Sequence, residues 1–237
     1  MMKERYSCLK NGLNFSKCCF YCGAAVYRLS DGRIKCRACR RRYSPKKICR
    51  RLTLAQSFCR NQSVKAAVEQ LGISYVSAKN FYDHLRKSLL PLLESDYEAA
   101  REQVEQYEET LYLDHNKRRD KRYIFDAQNF LTFVYGNRVY NILMPSLERY
   151  KTTLLEDGMH EQYWKEFSRF LIFHRIARLE SHDNAIERFR HYFDGFMKPY
   201  RGVDRENFIY YLKEAEFKFN YKEKCFEKLI DLLRRAD

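Results

Sequence analysis

Long apolar runs are absent from these 237 residues. The best is Phe170-Leu171-Ile172-Phe173, far short of the roughly 20 residues that span a bilayer. No apolar stretch follows the charged start MMKERYSCLKNGLNF, so neither a signal peptide nor a membrane partner is expected. Only eight glycines and four prolines stand against 45% hydrophobic residues, which excludes a collagen-like, low-complexity or disordered chain. No internal repeat is visible. Acidic residues are scarce in one part only. Residues 1–95 hold 20 Lys/Arg against 5 Asp/Glu, a net of +15, whereas the remainder holds 25 against 26, a net of −1.

What is present follows from that asymmetry. A basic module joined to a near-neutral one suggests a nucleic-acid anchor followed by a second domain; a solvated basic surface is the plainer alternative. The 28.8 kDa chain is long enough for one large domain or two to three small ones. Nine cysteines are many for a chain with no secretion signal. Eight fall in the first 59 residues and Cys225 stands alone, so metal ligation is expected rather than a disulfide framework.

Cys19-x2-Cys22 and Cys36-x2-Cys39, thirteen residues apart, have the spacing of a structural zinc ribbon. Two tight turns can bring four thiolates together tetrahedrally. The Ser30-Asp31-Gly32 turn between short β-like runs would close the hairpin that joins them. So small a segment cannot bury a core, and coordination would replace one. Cys18 is an alternative to Cys19. Cys8, Cys49 and Cys59 have no partner at ligand spacing and read as small buried residues. Arg37 and Arg40-Arg41-Arg42 form a basic tail suited to phosphates.

Residues 52–93 carry helical spacing. Thr53, Ser63 and Ser74 can cap three helices ending near Arg60, Gly72 and Leu90, the last stopped by Pro91. SVKAAVEQLGISYVSAKNFYDHLR, residues 63–86, reads as a helix-turn-helix; a plain helical hairpin is the alternative. Ile73 and Val76 are expected to anchor its second helix. Tyr75, Ser77, Lys79, Asn80 and Tyr82 are expected to face outward, toward base edges and phosphates. Residues 94–109 look like an acidic helical connector. Strand-like runs follow at 110–113, 123–125, 130–135 and 139–143. Helical patterns then cover about 159–171, 183–197, 204–219 and 222–235. Strands followed by helices imply a mixed α/β domain.

The stretch HDNAIERFRHYFDGFMKPYRGVDRENFIYYLKEAEFKFNYK, residues 182–222, resembles the C-terminal signature of ISXO-type bacterial insertion-sequence transposases. The resemblance rests on His182-x-Asn184-x-Ile186-Glu187-x-Phe189, on Gly202-Val203, and on Tyr211-Leu212-Lys213-Glu214 with Glu216-Phe217-x-Phe219-Asn220. The order of modules resembles the family as well. The resemblance implies an α+β multidomain chain: a zinc ribbon over 1–50, a three-helix helix-turn-helix over 51–93, a connector over 94–109 and an RNase H-like domain over 110–237.

It also implies a DDE enzyme acting on double-stranded DNA. Such an enzyme cuts and joins strands at element ends, as a homodimer or higher oligomer, in the bacterial cytoplasm near the nucleoid. Two Mg²⁺ or Mn²⁺ ions would sit among carboxylates. Asp114, Asp157, Asn184 and Glu187 are the positions implied for that set, with Lys198 in place of a downstream lysine. The chain departs from the family pattern at His115, where another carboxylate is usual, at Arg190, where tryptophan is usual, and at Asp194, where that lysine aligns. A catalytically decayed, DNA-binding descendant is the alternative.

Overall fold

A computed structural model describes residues 17–118, 120–145 and 184–235, side chains 121, 122 and 124 excepted. Among these residues the chain is mixed α/β with two three-stranded sheets. It divides into two compact units: Met1–Ser88 together with Tyr221–Asp237, and Leu89–Asn220. Among the described residues no helix is long and apolar enough to cross a membrane.

The first unit opens with the antiparallel sheet β1 (Val26–Arg28), β2 (Ile34–Cys36) and β3 (Arg42–Tyr43), in that order. The β1–β2 turn closes as the sequence suggests. Asp31 accepts the Arg33 N–H at 2.9 Å, and Gly32 sits at φ 77°, where a side chain would strain the backbone. Then come α1 (Pro45–Cys59), α2 (Val64–Leu71) and α3 (Tyr75–Glu98). Helix α2 has the expected ends: Ser63 Oγ accepts the Ala66 N–H at 3.2 Å, and Gly72 ends it at φ 62°.

Helix α1 starts eight residues earlier than Thr53, at Pro45 in the first turn. Thr53 is buried mid-helix, and its hydroxyl donates back to the Cys49 carbonyl at 2.9 Å. Helix α3 does not stop at Pro91 but runs on to Glu98. Leu85, Leu89 and Leu93 are fully buried at four-residue spacing through the proline, and that burial offsets its lost N–H.

The buried stripe of α3 also corrects two side chains. It runs Ala78, Tyr82, Leu85, Leu89, so Tyr82 is 1% exposed where an outward position was expected. The Tyr82 ring meets Phe58 edge-on at 5.2 Å, and its hydroxyl donates to the Gln62 carbonyl. Val76 lies off the stripe and is 65% exposed, not a core anchor.

The last helix, α6 (Cys225–Arg235), belongs to this first unit rather than to the domain expected over 110–237. Cys59 and Cys225 form a disulfide across 166 residues of sequence, against the expectation of thiols only. Arg234 donates to the Phe20 carbonyl at 3.0 Å.

In the second unit the sheet is β4 (Val104–Tyr112), β5 (Gln128–Tyr135) and β6 (Arg138–Leu143), antiparallel throughout. Residues 94–109 are therefore not one helical connector. After α3 comes a 3-10 turn, Arg101–Gln103, and then β4 pairs Tyr107 with Phe133 and Glu109 with Leu131. Cross-strand pairing wins over the helical propensity of its glutamates, and charge suits an edge strand. The 123–125 run is a 3-10 turn, Lys121–Asp126, not a strand, with Phe125 buried.

Helices α4 (Ala185–Met197) and α5 (Arg205–Tyr221) complete the unit. Ile186, Phe189, Phe193 and Phe196 recur at helical spacing on α4. They join Phe130, Val134, Val139, Phe208 and Leu212 in one core. Each such buried side chain contributes about 1.5–3 kcal/mol.

Polar groups fix the register of α5 on β6. Buried Glu216 accepts from both the backbone and the side-chain amide of Asn141, each at 2.9 Å, and from Lys213 at 3.0 Å. Burial pushes the Glu216 carboxyl up and the Lys213 ammonium down. Asn220 brackets Val139, accepting its N–H at 2.9 Å and donating to its carbonyl at 2.8 Å.

The position of Tyr82 is testable. Tyr82→Ala should lower the free energy of unfolding by about 3–5 kcal/mol, as for other buried aromatics. An outward tyrosine would cost within about 0.5 kcal/mol. Urea denaturation separates the two.

Candidate metal centre and nucleic-acid interface

The sulfur atoms of Cys19, Cys22, Cys36 and Cys39 all lie within 4.8 Å of one another. Among the described residues they are the only such group of three or more ligand-bearing side chains. Two turns build the cluster. In the first, Gly23 donates to the Cys19 carbonyl at 3.0 Å and Cys19 to the Ala24 carbonyl at 2.8 Å, with Gly23 at φ 74°. In the second, the Cys39 N–H points at Cys36 Sγ at 3.4 Å, and Arg40 takes φ 59°. Cys22 and Cys36 are 3.4 Å apart and Cys19 and Cys39 3.8 Å.

Two of the thiols are shifted in opposite directions. Burial raises Cys36, but the Cys39 N–H and the Cys22 thiol outweigh it and bring it to about 6. The Arg41 N–H lowers Cys39, but burial and the neighbouring sulfurs push it up to about 12. Four closely set thiolates need a cation among them, so this donor set could hold a structural metal ion and is compatible with zinc. Burial also raises Tyr43, to about 12; its hydroxyl accepts the Phe20 N–H at 3.0 Å. Cys18 is exposed and pairs through its backbone with Ala25, outside the cluster.

The basic tail separates into two groups. Arg37 and Arg40 are exposed on the second cysteine turn. Arg41 and Arg42 line a cleft of about 470 Å³ with Arg33, Lys47 and Arg51, three residues absent from the sequence-derived set. The four-residue spacing of Lys47 and Arg51 was the available signal, hidden by placing the first helix too late. At the start of α3, Tyr75, Val76, Ser77, Lys79 and Asn80 are exposed. Ser77 Oγ accepts from Ser74 Oγ at 2.8 Å, and Lys79 lies 3.4 Å from Asp83.

Three of the implied catalytic positions, Asp114, Asn184 and Glu187, are drawn into structural bonds. Asp114 follows β4. Its Oδ2 accepts the Gly202 N–H at 2.8 Å and its Oδ1 the Asn116 N–H at 3.1 Å. Partial burial raises the Asp114 carboxyl, but those two donors hold it below the usual carboxylate range. Gly202 meets it at φ 68°, a conformation that favours glycine. Asn184 caps α4, its side-chain oxygen accepting the Glu187 N–H at 2.8 Å. Glu187 is 2.9 Å from Arg190 Nη1.

Arg190 is 8% exposed and ties α4 to β4. It donates to Thr110 Oγ1 and the Glu109 carbonyl, each at 2.9 Å, and pairs with Glu108 at 2.8 Å. Lys198 is exposed at the end of α4. Asp157 lies outside the described residues, as do His182 and Cys8. His115 Nε2 is 3.3 Å from Asp194, unaligned for a hydrogen bond, and Arg118 donates to the same carboxylate at 2.6 Å.

No protein-family model, no curated protein and no solved structure matches this chain.

Metal analysis of the purified chain should find one tightly held ion per molecule. Cys36→Ser should abolish it and Cys18→Ser should leave it in place. Full metal content in Cys36→Ser would place the ligands elsewhere.

Proposed function

We propose that this chain binds double-stranded DNA through its first unit, with zinc as the ion among the four cysteines. We further propose that it descends from an ISXO-type transposase without cutting DNA at the site that resemblance implies. The observation that carries the binding reading is a coincidence. The net charge of +15 in residues 1–95 falls on the segment bearing the cysteine cluster and the exposed start of α3. Phosphate contacts would come from the arginines and lysines. Tyr75, Val76, Lys79 and Asn80 would meet base edges.

Ancestry is supported in the second unit. An antiparallel three-stranded meander with an acid just past its first strand suits the start of an RNase H-like sheet. The unusual residues at 115 and 194 sit side by side. Where the family pattern has a carboxylate and a lysine, this chain has His115 and Asp194.

Loss of cutting is supported by the bonds on Asp114, Asn184 and Glu187. Two Mg²⁺ or Mn²⁺ ions would need side-chain oxygens that here accept backbone N–H groups, on Asp114 and Asn184, or face a buried arginine, on Glu187. A cutting transposase is the second reading. It is favoured by the cavity of about 310 Å³ that Asp114 lines with Asp126 and Asp204.

Fluorescence anisotropy with labelled duplexes tests binding. Log affinity should fall linearly with log salt, at about 0.9 per phosphate contacted. Lys79→Ala with Asn80→Ala should flatten preference among sequences by about 1–3 kcal/mol per lost base contact. Affinity insensitive to salt would refute this mode of binding. In Mn²⁺, wild-type protein should leave supercoiled plasmid intact; nicking that Asp114→Ala abolishes would restore the cutting reading.

A further inference from the structure

The cleft beside the cysteine cluster is built differently from an ordinary basic surface. Five cationic side chains converge on it from three elements. Arg33 comes from the β1–β2 turn, Arg41 and Arg42 from the β3 segment, and Lys47 and Arg51 from successive turns of α1. Among the described residues no acidic side chain lines it. Asp31 pairs with Arg33 at 2.6 Å outside the lining, leaving the cleft strongly positive. Like charges in a concave wall repel one another, and an anion between them removes that cost.

Two features hold the wall in shape. The Arg41 guanidinium lies over the Tyr21 ring, 4.6 Å from its centroid, so its plane is held before any ligand arrives. Tyr21 in turn packs edge-on against Tyr43 at 5.5 Å, and Tyr43 anchors the cysteine segment through Phe20. Ser44, the N-cap residue of α1, makes no side-chain cap hydrogen bond and lines the cleft. Guanidinium forks, an ammonium and a hydroxyl are the donors that phosphate oxygens select.

We propose that this cleft seats a phosphate group, with Arg42, Lys47 and Arg51 as its principal cations and Arg41 and Ser44 as its orienting donors. This rests on the DNA-binding reading for its source: the group is then a backbone phosphate, and the cleft fixes the protein's register on the duplex. A free phosphate compound offers the same chemistry. The two sources differ in whether duplex DNA competes for the cleft.

The test uses the full chain. Inorganic phosphate is titrated at constant ionic strength while the arginine Nε–H signals are followed by NMR. Signals of Arg42 and Arg51 should shift and saturate, and Arg42→Gln/Lys47→Gln/Arg51→Gln should lose phosphate binding. Added duplex should displace the phosphate. The triple variant should lower the slope of log affinity against log salt by about 2–3, one per lost contact.

Metal content and circular dichroism report whether the variant folds. Should it fail to, the wild-type titration decides alone. Phosphate binding without competition from duplex would keep the cleft and defeat the DNA reading. An unchanged salt slope together with no phosphate-induced shift would overturn the cleft proposal, even in a protein that binds DNA tightly.

Discussion

Four sulfur atoms within 4.8 Å of one another cannot all give up their protons unless a cation sits among them. That constraint governs the first unit. The ribbon has few buried side chains of its own, chiefly Phe20, Ile34 and Tyr43 beside the cysteines. Its sheet strands are two or three residues long. Strands so short do not hold their shape by pairing alone. A metal ion held by the four cysteines would supply the missing stability at a defined point. The arginines of the β3 segment follow the second cysteine turn directly, so their placement depends on that turn.

The second unit is stabilised differently. It buries an aromatic core and then fixes its register with a few polar bonds. Residues that carry the resemblance to transposases fall largely in this role. Lys213 and Glu216 join α5 to Asn141, and Asn220 brackets Val139. Buried groups of this kind are costly when half satisfied, so each needs its partner. A signature made of such residues speaks for the shape of the domain and leaves its chemistry open. Arg190 makes that concrete, since the buried guanidinium that ties α4 to β4 also neutralises Glu187.

Local chemistry was legible in the sequence and distant partnership was not. The cysteine spacing, the Asp31-Gly32 turn, and the Ser63 and Gly72 ends of α2 depend on neighbours a few residues away, and they appear as expected. The strand over 104–109 was hidden because its glutamates favour helix and only β5 overrides them. Tyr82 was misplaced by one helical phase, an error that a short apolar pattern permits. The bond between Cys59 and Cys225 left no local trace at all. The surroundings of Asp114 were equally invisible, because its partner Gly202 lies 88 residues away.

Helix α6 carries a consequence for how the first unit comes together. It belongs to a unit whose other part ends at Ser88, so that unit joins two segments separated by 132 residues of chain. Contacts at such separation must meet the entropy of closing a long loop before they add stability, which makes them slow to form. A truncation before residue 221 would leave the basic half without its closing helix.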